Sequence, residues 1–591
     1  MQEKWDLSPL YKSEEDFEKD LKEFKEVLTE KVATLEGKLS DEKYLLEYFK
    51  LDQKISAMLQ RLYMYAGSLS DLDKKDVKGN ERAGRVELAL NDYISKASFV
   101  EPEILSIGQE KIKEFFKKYP EVNEYDFQME KLFLAQKHIL SKDKELLLSH
   151  YSPLLGEGGD LYSYLSVADF KPSTCLLSNG KEVTVTQSNW SNLIKEAPSA
   201  KDRQLIFETL YRYYDEHKSI YGEIYNTVLK SELAEMKARG YKSILESHLE
   251  GNKIPKEVFL NLIKAAKDGS EPLKKYYELR RKYLHLDKHR SYDRFLELAK
   301  SDKHFSFKEA QELFFDSIKH FPIDFQNKAK EANESGYIDV YPKDGKRTGA
   351  YSNGGANIHP YILLNFEGQL DDVFTLAHES GHSIHTLYSE ESQPIAKQNY
   401  TIFVAEIAST FNEHNLLDYL LSSSSLDKND KIHLLQKAID EICATFYRQT
   451  LFGEYEYRIS LLAEKGEPIN HAILSQTMVD LYKEYYGIDI TEEKLKQYVW
   501  AYIPHLFYTP FYVYQYATSF TASLLIYEKV KAGEKDAFEK YISLLRMGGS
   551  DFPINEVKEA GVDFLKEETF LSCPKRMAEL VNKLEELLES K

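Results

Sequence analysis

The chain has 591 residues, 42% hydrophobic and 30% charged, a balance typical of soluble globular proteins and long enough for several domains. A net charge of −19 and a pI near 5.5 argue against nucleic-acid binding, which needs a basic surface, and against anionic membranes. No apolar run approaches membrane-spanning length, no leader-type segment is visible, and Cys175, Cys443 and Cys573 lack metal-type spacing, so the expected setting is a reducing cytoplasm.

In chain order, helical periodicity is expected over 14–39, 41–70 and 128–150, punctuated by Pro120, Pro153, Pro172 and Pro198. Asn179-Gly180, ahead of an alternating run, predicts a hairpin at 177–187. The stretch 151–200 is rich in Gly, Ser and Pro and sets a soft boundary near 200, between an N-terminal helical domain (1–200) and a larger domain (201–591). Helices are expected again at 201–239, 255–284 and 307–333. Residues 337–366 break that pattern. Val340, Tyr341 and 361–364 have strand character and Asp344-Gly345 is a hairpin signal, so a small sheet is expected there.

The run LDDVFTLAHESGHSIHTLYSE follows. Asp371 and Asp372 suit a helix first turn, and Val373, Phe374, Leu376, Ala377, Ile384 and Leu387 give an amphipathic pattern. His378 and His382, four apart, differ by about 40° around a helix axis and project to one side. They can hold one Zn²⁺ at about 2.0–2.1 Å each. Glu379 then points at the open coordination position, where it can take a proton from a metal-bound water. Gly381 inside the helix costs about 1 kcal/mol relative to alanine, which suggests that backbone or substrate comes close.

Catalytic zinc usually takes a third protein ligand. YTIFVAEIASTFNEHNLLDYLL supplies Glu406 among the small residues Ala405 and Ala408, with Glu413 two turns on. Glu406 is assigned as the ligand and Glu413 as the partner that orients a ligating histidine. His385, three residues after His382, competes for the third position. One helix has difficulty aiming three side chains at one tetrahedral centre, so His385 is assigned to the layer behind the ligands. Spacing also excludes relatives. The metzincin positions hold His385 and Tyr388, and the thermolysin and aminopeptidase positions hold Thr401 and Ile402.

HESGHSIH followed by FVAEIAST resembles the thimet-oligopeptidase-like zinc metallopeptidases, and the branch it most resembles is oligoendopeptidase F. WAYIPHLFYTPFYVYQYATSF, LLRMGGSDFPINEVKEAGVDF and GGANIHPYILLNFEG add to the resemblance, which is specific from about 200 to 580. It implies a mainly α molecule: a large helical ellipsoid with a deep internal channel and a small sheet beside the zinc helix. It also implies one zinc per chain and short unstructured peptides as substrates. In the thimet branch, tyrosines follow a downstream histidine at spacings that fall here on Pro510, Tyr514 and Ala517, so only one of three matches.

Attack of water on a peptide carbonyl needs a donor aimed at the developing oxyanion. His505 heads the candidates, followed by Tyr512, then Tyr508 and Tyr514. A continuous helix would align His505, Tyr508, Tyr512 and Tyr516, whereas Pro510 starting a new helix would break that register. For substrate, the edge of the small sheet offers β-augmentation, with Gly354-Gly355 allowing close approach and His359 at the rim. The resulting expectation is a zinc-dependent oligoendopeptidase. A zinc dipeptidyl carboxypeptidase or other exopeptidase is the first alternative, and a non-enzymatic helical scaffold the second.

Overall fold

The computed structural model describes residues 3–424 and 426–590. The fold is mostly helical with two small sheets, as expected. Helix α1 runs Glu42–Leu72, capped by the Asp41 side chain on the Lys43 N–H. The expected 128–150 helix is interrupted at 139–141. Strands β1 (Ser173–Leu176) and β2 (Glu182–Val185) form the hairpin predicted from Asn179-Gly180, with Gly180 at φ 81°. The long 201–239 helix is two helices, α2 (Ala200–Glu216) and α3 (Lys218–Arg239). The backbone leaves helical geometry at His217, whose Nδ1 bonds the Tyr213 carbonyl. The expected helices 255–284 and 307–333 are likewise split, ahead of Pro272 and at Pro322, because proline starts a helix more readily than it continues one.

Helix α4 (Ile323–Ala332) leads into β3 (Ile338–Asp339), β4 (Tyr351–Gly355) and β5 (Ile358–Leu363). The strand order is β3-β5-β4, with β3 parallel and β4 antiparallel to β5. The hairpin signal at Asp344-Gly345 is corrected. The hairpin turn lies at Ala356-Asn357, both at positive φ (55° and 60°). Asp344 instead binds Lys75, and the Gly345 carbonyl accepts from Lys74 N–H. Helices α5 (Leu370–Ser392) and α6 (Ile402–Ser422) follow, then α7 (Arg448–Glu464), the single turn α8 (His505–Tyr508) and α9 (Tyr514–Lys531).

The chain forms two compact units, each of three segments. The first comprises Met1–Lys137, Lys303–Ser422 and Ser523–Val562. Its core joins the N-terminal helices to the sheet: Trp5 Nε1 donates to the Ile362 carbonyl at 2.8 Å, and Tyr361 and Leu363 are buried among Phe17, Phe49 and Leu62. The second comprises His138–Asp302, Ser423–Ala522 and Asp563–Lys591, and residue 200 falls inside it. No helix among the described residues is long and apolar enough to cross a membrane.

Candidate metal centre

Helix α5 is fixed at its start by a capping box. Asp372 accepts the Gln369 N–H at 2.8 Å, the role its place in the first turn suggested. Helix α6 crosses α5 at Gly381. A Cβ there would meet the Ala408 carbonyl oxygen at 2.5 Å and Ser409 Cα at 2.6 Å. The close neighbour that Gly381 implied is therefore the backbone of α6. This crossing brings Glu406 to the two histidines. Gly381→Ala is expected to destabilise the protein by about 1–3 kcal/mol, as overpacking does, and to weaken metal binding with it. Thermal melting with and without zinc checks both.

His378 Nε2 and His382 Nε2 are 3.2 Å apart, and Glu406 Oε2 lies 3.4 Å from the first and 3.6 Å from the second. Ligands about 2.0–2.2 Å from a tetrahedral zinc stand about 3.3–3.6 Å from one another. The three donors fit that ion. His378, His382 and Glu406 are also the group of potential ligands found among the described residues. Behind them, Glu413 Oε1 is 3.3 Å from His378 Nδ1, which turns the other ring nitrogen toward the donor cluster. Ser409 Oγ donates to Glu406 Oε2 at 2.9 Å.

His385 does not join the cluster. It is buried, its ring stacked on Tyr400 at 3.6 Å and 3°, and neither ring nitrogen has a hydrogen-bond partner among the described residues. Burial holds its pKa down at about 3.

Glu379 is buried and its Oε2 has no hydrogen-bond partner among the described residues. Burial raises its pKa to about 7, against His378 and with Glu406 and Glu413 adding to the rise. A carboxylate poised near neutrality is suited to general-base work. Burial also opposes charge on His378, but Glu413 and Glu406 outweigh it and raise its pKa. His382 is pushed down to about 4 by burial and then by His378. Burial would raise Glu406, yet the hydrogen bond to His378 and the charges of both histidines bring it to about 2. A carboxylate held ionised beside two imidazoles is a donor set made for a cation.

The main chain of Ser352, on the edge strand β4, lies beside the Glu379 carboxylate and opposes the rise in its pKa, a contact with no signal in the sequence. The residues assigned to substrate each have protein contacts. A Cβ on Gly354 would meet Pro360 Cα and Thr386 Cγ2 at 2.9 Å, and its carbonyl accepts from Gln60. The Gly355 N–H is held by Glu390 Oε1 at 3.0 Å. His359 is stacked on Tyr337 at 3.6 Å, and its two ring nitrogens contact the Pro360 and Glu331 carbonyls. These contacts fix the positions of all three residues within the protein.

In the second unit, the continuous helix through His505 does not form. Phe511 sits at φ 55°, and its N–H donates to the buried Glu456 Oε1 at 2.7 Å, which holds the kink between α8 and α9. Burial raises the Glu456 pKa to about 8. The kink still gathers three of the aligned residues. His505 is stacked on Tyr512 (6.2 Å, 10°), and Tyr516 meets both rings edge-on at 6.4 and 5.5 Å. Tyr508 turns away, 47% exposed and against Tyr162, and Tyr514 is buried against Phe259. The structure groups Tyr516, rather than the lower-ranked Tyr508 and Tyr514, with His505 and Tyr512. The signal for Tyr516 was its spacing from His505; Glu456 had none.

Known proteins resemble this chain over most of its length. The profile of Peptidase family M3 matches residues 193–573, and one described as Oligopeptidase F matches 103–171. Oligopeptidase PepF of Bacillus subtilis is 33% identical over 99% of this chain and 87% of its own length. Group B oligopeptidase PepB of Streptococcus agalactiae is 31% identical over 98% of this chain and 96% of its own. The crystal structure of oligoendopeptidase-F from Enterococcus faecium superposes with a TM-score of 0.74 at 26% identity, covering 97% of this chain and 98% of that one. The fold and site are those of a metallopeptidase that acts on oligopeptides. The chain belongs to Peptidase family M3, in company with the oligoendopeptidase F proteins.

Proposed function

We propose that the chain is a zinc endopeptidase that hydrolyses internal bonds of short, extended oligopeptides. The observation that carries this reading is the trio of donor atoms at tetrahedral spacing with the Glu379 carboxylate beside it. His378, His382 and Glu406 would hold one zinc ion, and Glu413 would keep the His378 ring in its ligating orientation. When bound, zinc supplies Lewis acidity toward water and the peptide carbonyl. Glu379 accepts the proton of the attacking water and passes it to the leaving amine.

Strand β4 is one of the two edge strands of its sheet, so extended peptide can add alongside it. Gln60 and Glu390 already hold the main chain of Gly354 and Gly355, which confines that pairing to the residues before them. We read 201–591 as the peptidase portion and 1–200 as its helical N-terminal complement, a division supported by the two matched profile regions. Three unpaired cysteines support a cytoplasmic setting.

His505 and Tyr512 are assigned as oxyanion donors, and Tyr516 joins them by its place in the cluster. His505→Ala and Tyr512→Phe are each expected to lower kcat by about 10²–10³, the usual loss for one such donor, with little change in KM. A pure KM effect would move them to substrate binding.

The reading as a whole is tested by mass spectrometry of products from a graded series of unstructured peptides, with zinc content measured on the same preparation. Internal cleavage with one zinc per chain is the expected result. Release of terminal dipeptides alone would make the chain an exopeptidase. A preparation that binds no stoichiometric metal would overturn the zinc reading.

A further inference from the structure

The face of α5 that runs along strand β4 carries a second acid, Glu390, to which the proposed chemistry gives no part. Glu379, Ser383, Thr386 and Glu390 stand at i, i+4, i+7 and i+11, and eleven residues return to within about 20° of the same face of a helix. They meet the strand in order along its length. The main chain of Ser352 lies beside the Glu379 carboxylate, and Ser352 Oγ is 2.8 Å from Ser383 Oγ. A Cβ on Gly354 would stand 2.9 Å from Thr386 Cγ2. Glu390 Oε1 then accepts two main-chain N–H groups of the hairpin, from Gly355 at 3.0 Å and from Ile358 at 3.1 Å.

These donors belong to a turn whose own residues suit it poorly. Gly355, Ala356 and Asn357 all have positive φ, 115°, 55° and 60°. A two-residue hairpin turn with both central residues at positive φ favours Asn, Asp or Gly, so Ala356 is held in that conformation by its surroundings. Glu390 spans the turn, bonding the residue before its two central positions and the residue after them. Gln398 takes the tip: its Oε1 accepts the Asn357 N–H at 3.3 Å and its Nε2 donates to Asn357 Oδ1 at 2.7 Å. Gln60, on α1, donates to the Gly354 carbonyl at 3.1 Å. All of these residues belong to the first unit.

One end of β4 is thus tied to the helix that carries His378, Glu379 and His382. The strand ends the order β3-β5-β4, and Tyr351–Asn353 are only half-buried. A peptide that pairs with its outer side takes its position from the strand, and the strand takes its own from Glu390. An edge ordered beforehand binds more tightly than one that must be ordered by the peptide.

We propose that Glu390 is a positioning residue for the peptide substrate: through the turn at Ala356-Asn357 it holds the edge of β4 in line with Glu379, so that an extended main chain is bound in one register. This rests on the reading of β4 as the substrate edge.

Kinetics of the full-length, zinc-loaded protein on an internally quenched peptide test it. Glu390→Ala is expected to raise KM by about tenfold with kcat within about threefold, the signature of lost uniform binding, and with zinc content at the wild-type value. Glu390→Gln keeps an acceptor oxygen at the same reach and should bring KM back to within about threefold of wild type. Glu390→Asp keeps the charge but falls short of the turn, and should resemble the alanine variant. Main-chain pairing is read with the same peptide methylated at one amide nitrogen at a time, away from the cleaved bond. In the wild-type protein at least one methylation is expected to raise KM by about tenfold, and in Glu390→Ala the same methylation should cost less than about threefold, because contacts made through one shared element are not additive.

An unchanged KM in Glu390→Ala and Glu390→Asp overturns the proposal, and so does a methylation penalty that persists in full in both. Loss of zinc or of kcat with KM unmoved overturns it as damage to the metal centre. A KM for Glu390→Gln as high as that of the alanine variant would assign the effect to charge, and overturns it as well. Where the alanine variant does not fold, the aspartate variant carries the test. If no methylated peptide differs from its parent in the wild-type protein, β4 is not the substrate edge. That result removes the underlying reading and the proposal together, whereas the others leave the reading standing.

Discussion

Glu379→Gln is expected to lower peptidase activity by about 10²–10⁴, the range for loss of a general base, while zinc content stays at the wild-type value. The amide keeps the shape of the side chain. It cannot accept the proton of the attacking water. The carboxylate does not ligate in this geometry, because the three donors at mutual distances of 3.2–3.6 Å come from His378, His382 and Glu406. Activity is read as kcat on an internally quenched peptide and metal by elemental analysis of the same sample. Residual activity within about tenfold of wild type would remove Glu379 from the proton transfer. Loss of zinc along with activity would make Glu379 part of the binding set instead.

Glu406→Ala is expected to weaken zinc binding by more than about 100-fold. His385→Ala should leave it within about tenfold. Removal of a residue that only supports a ligand typically costs 10–100-fold, and Glu413→Ala belongs in that interval. The order Glu406, Glu413, His385 follows from distance: Glu406 is in the donor cluster, Glu413 touches His378 from behind, and His385 stacks on Tyr400 with no contact to a donor atom that would fix it. Equilibrium dialysis against a chelator at fixed pH measures the series. If His385→Ala proves the more damaging substitution, the third ligand has been misassigned.

The candidate donor cluster was legible in the sequence because its placement depends on helical periodicity, a local property. His378, His382 and Glu413 each follow from spacing along one helix, and Glu406 needed only the added inference that small residues let two helices cross. Breaks in helices were less legible. Periodicity continues through Gly269-Ser270 and His217, yet the backbone turns at each, since proline or a competing side-chain bond acts over a few residues without disturbing the pattern. The hairpin turn at Ala356-Asn357 was missed for a related reason. Asp344-Gly345 carries the stronger turn chemistry, but tertiary contacts to Lys74 and Lys75 hold it outside the sheet. Contacts between distant segments had no signal at all. Nothing near Phe511 points to Glu456.

The crossing at Gly381 has a bearing on how this enzyme should be handled. In small zinc modules the ion itself assembles the fold, and stripping it unfolds the chain. Here van der Waals contact between α5 and α6 sets the distance between ligands, and the ion has no assembling to do. The chelated protein should therefore keep its native circular dichroism and its resistance to proteolysis. Activity should return on simple addition of zinc, without denaturation and refolding, and cobalt or manganese should exchange into the same scaffold.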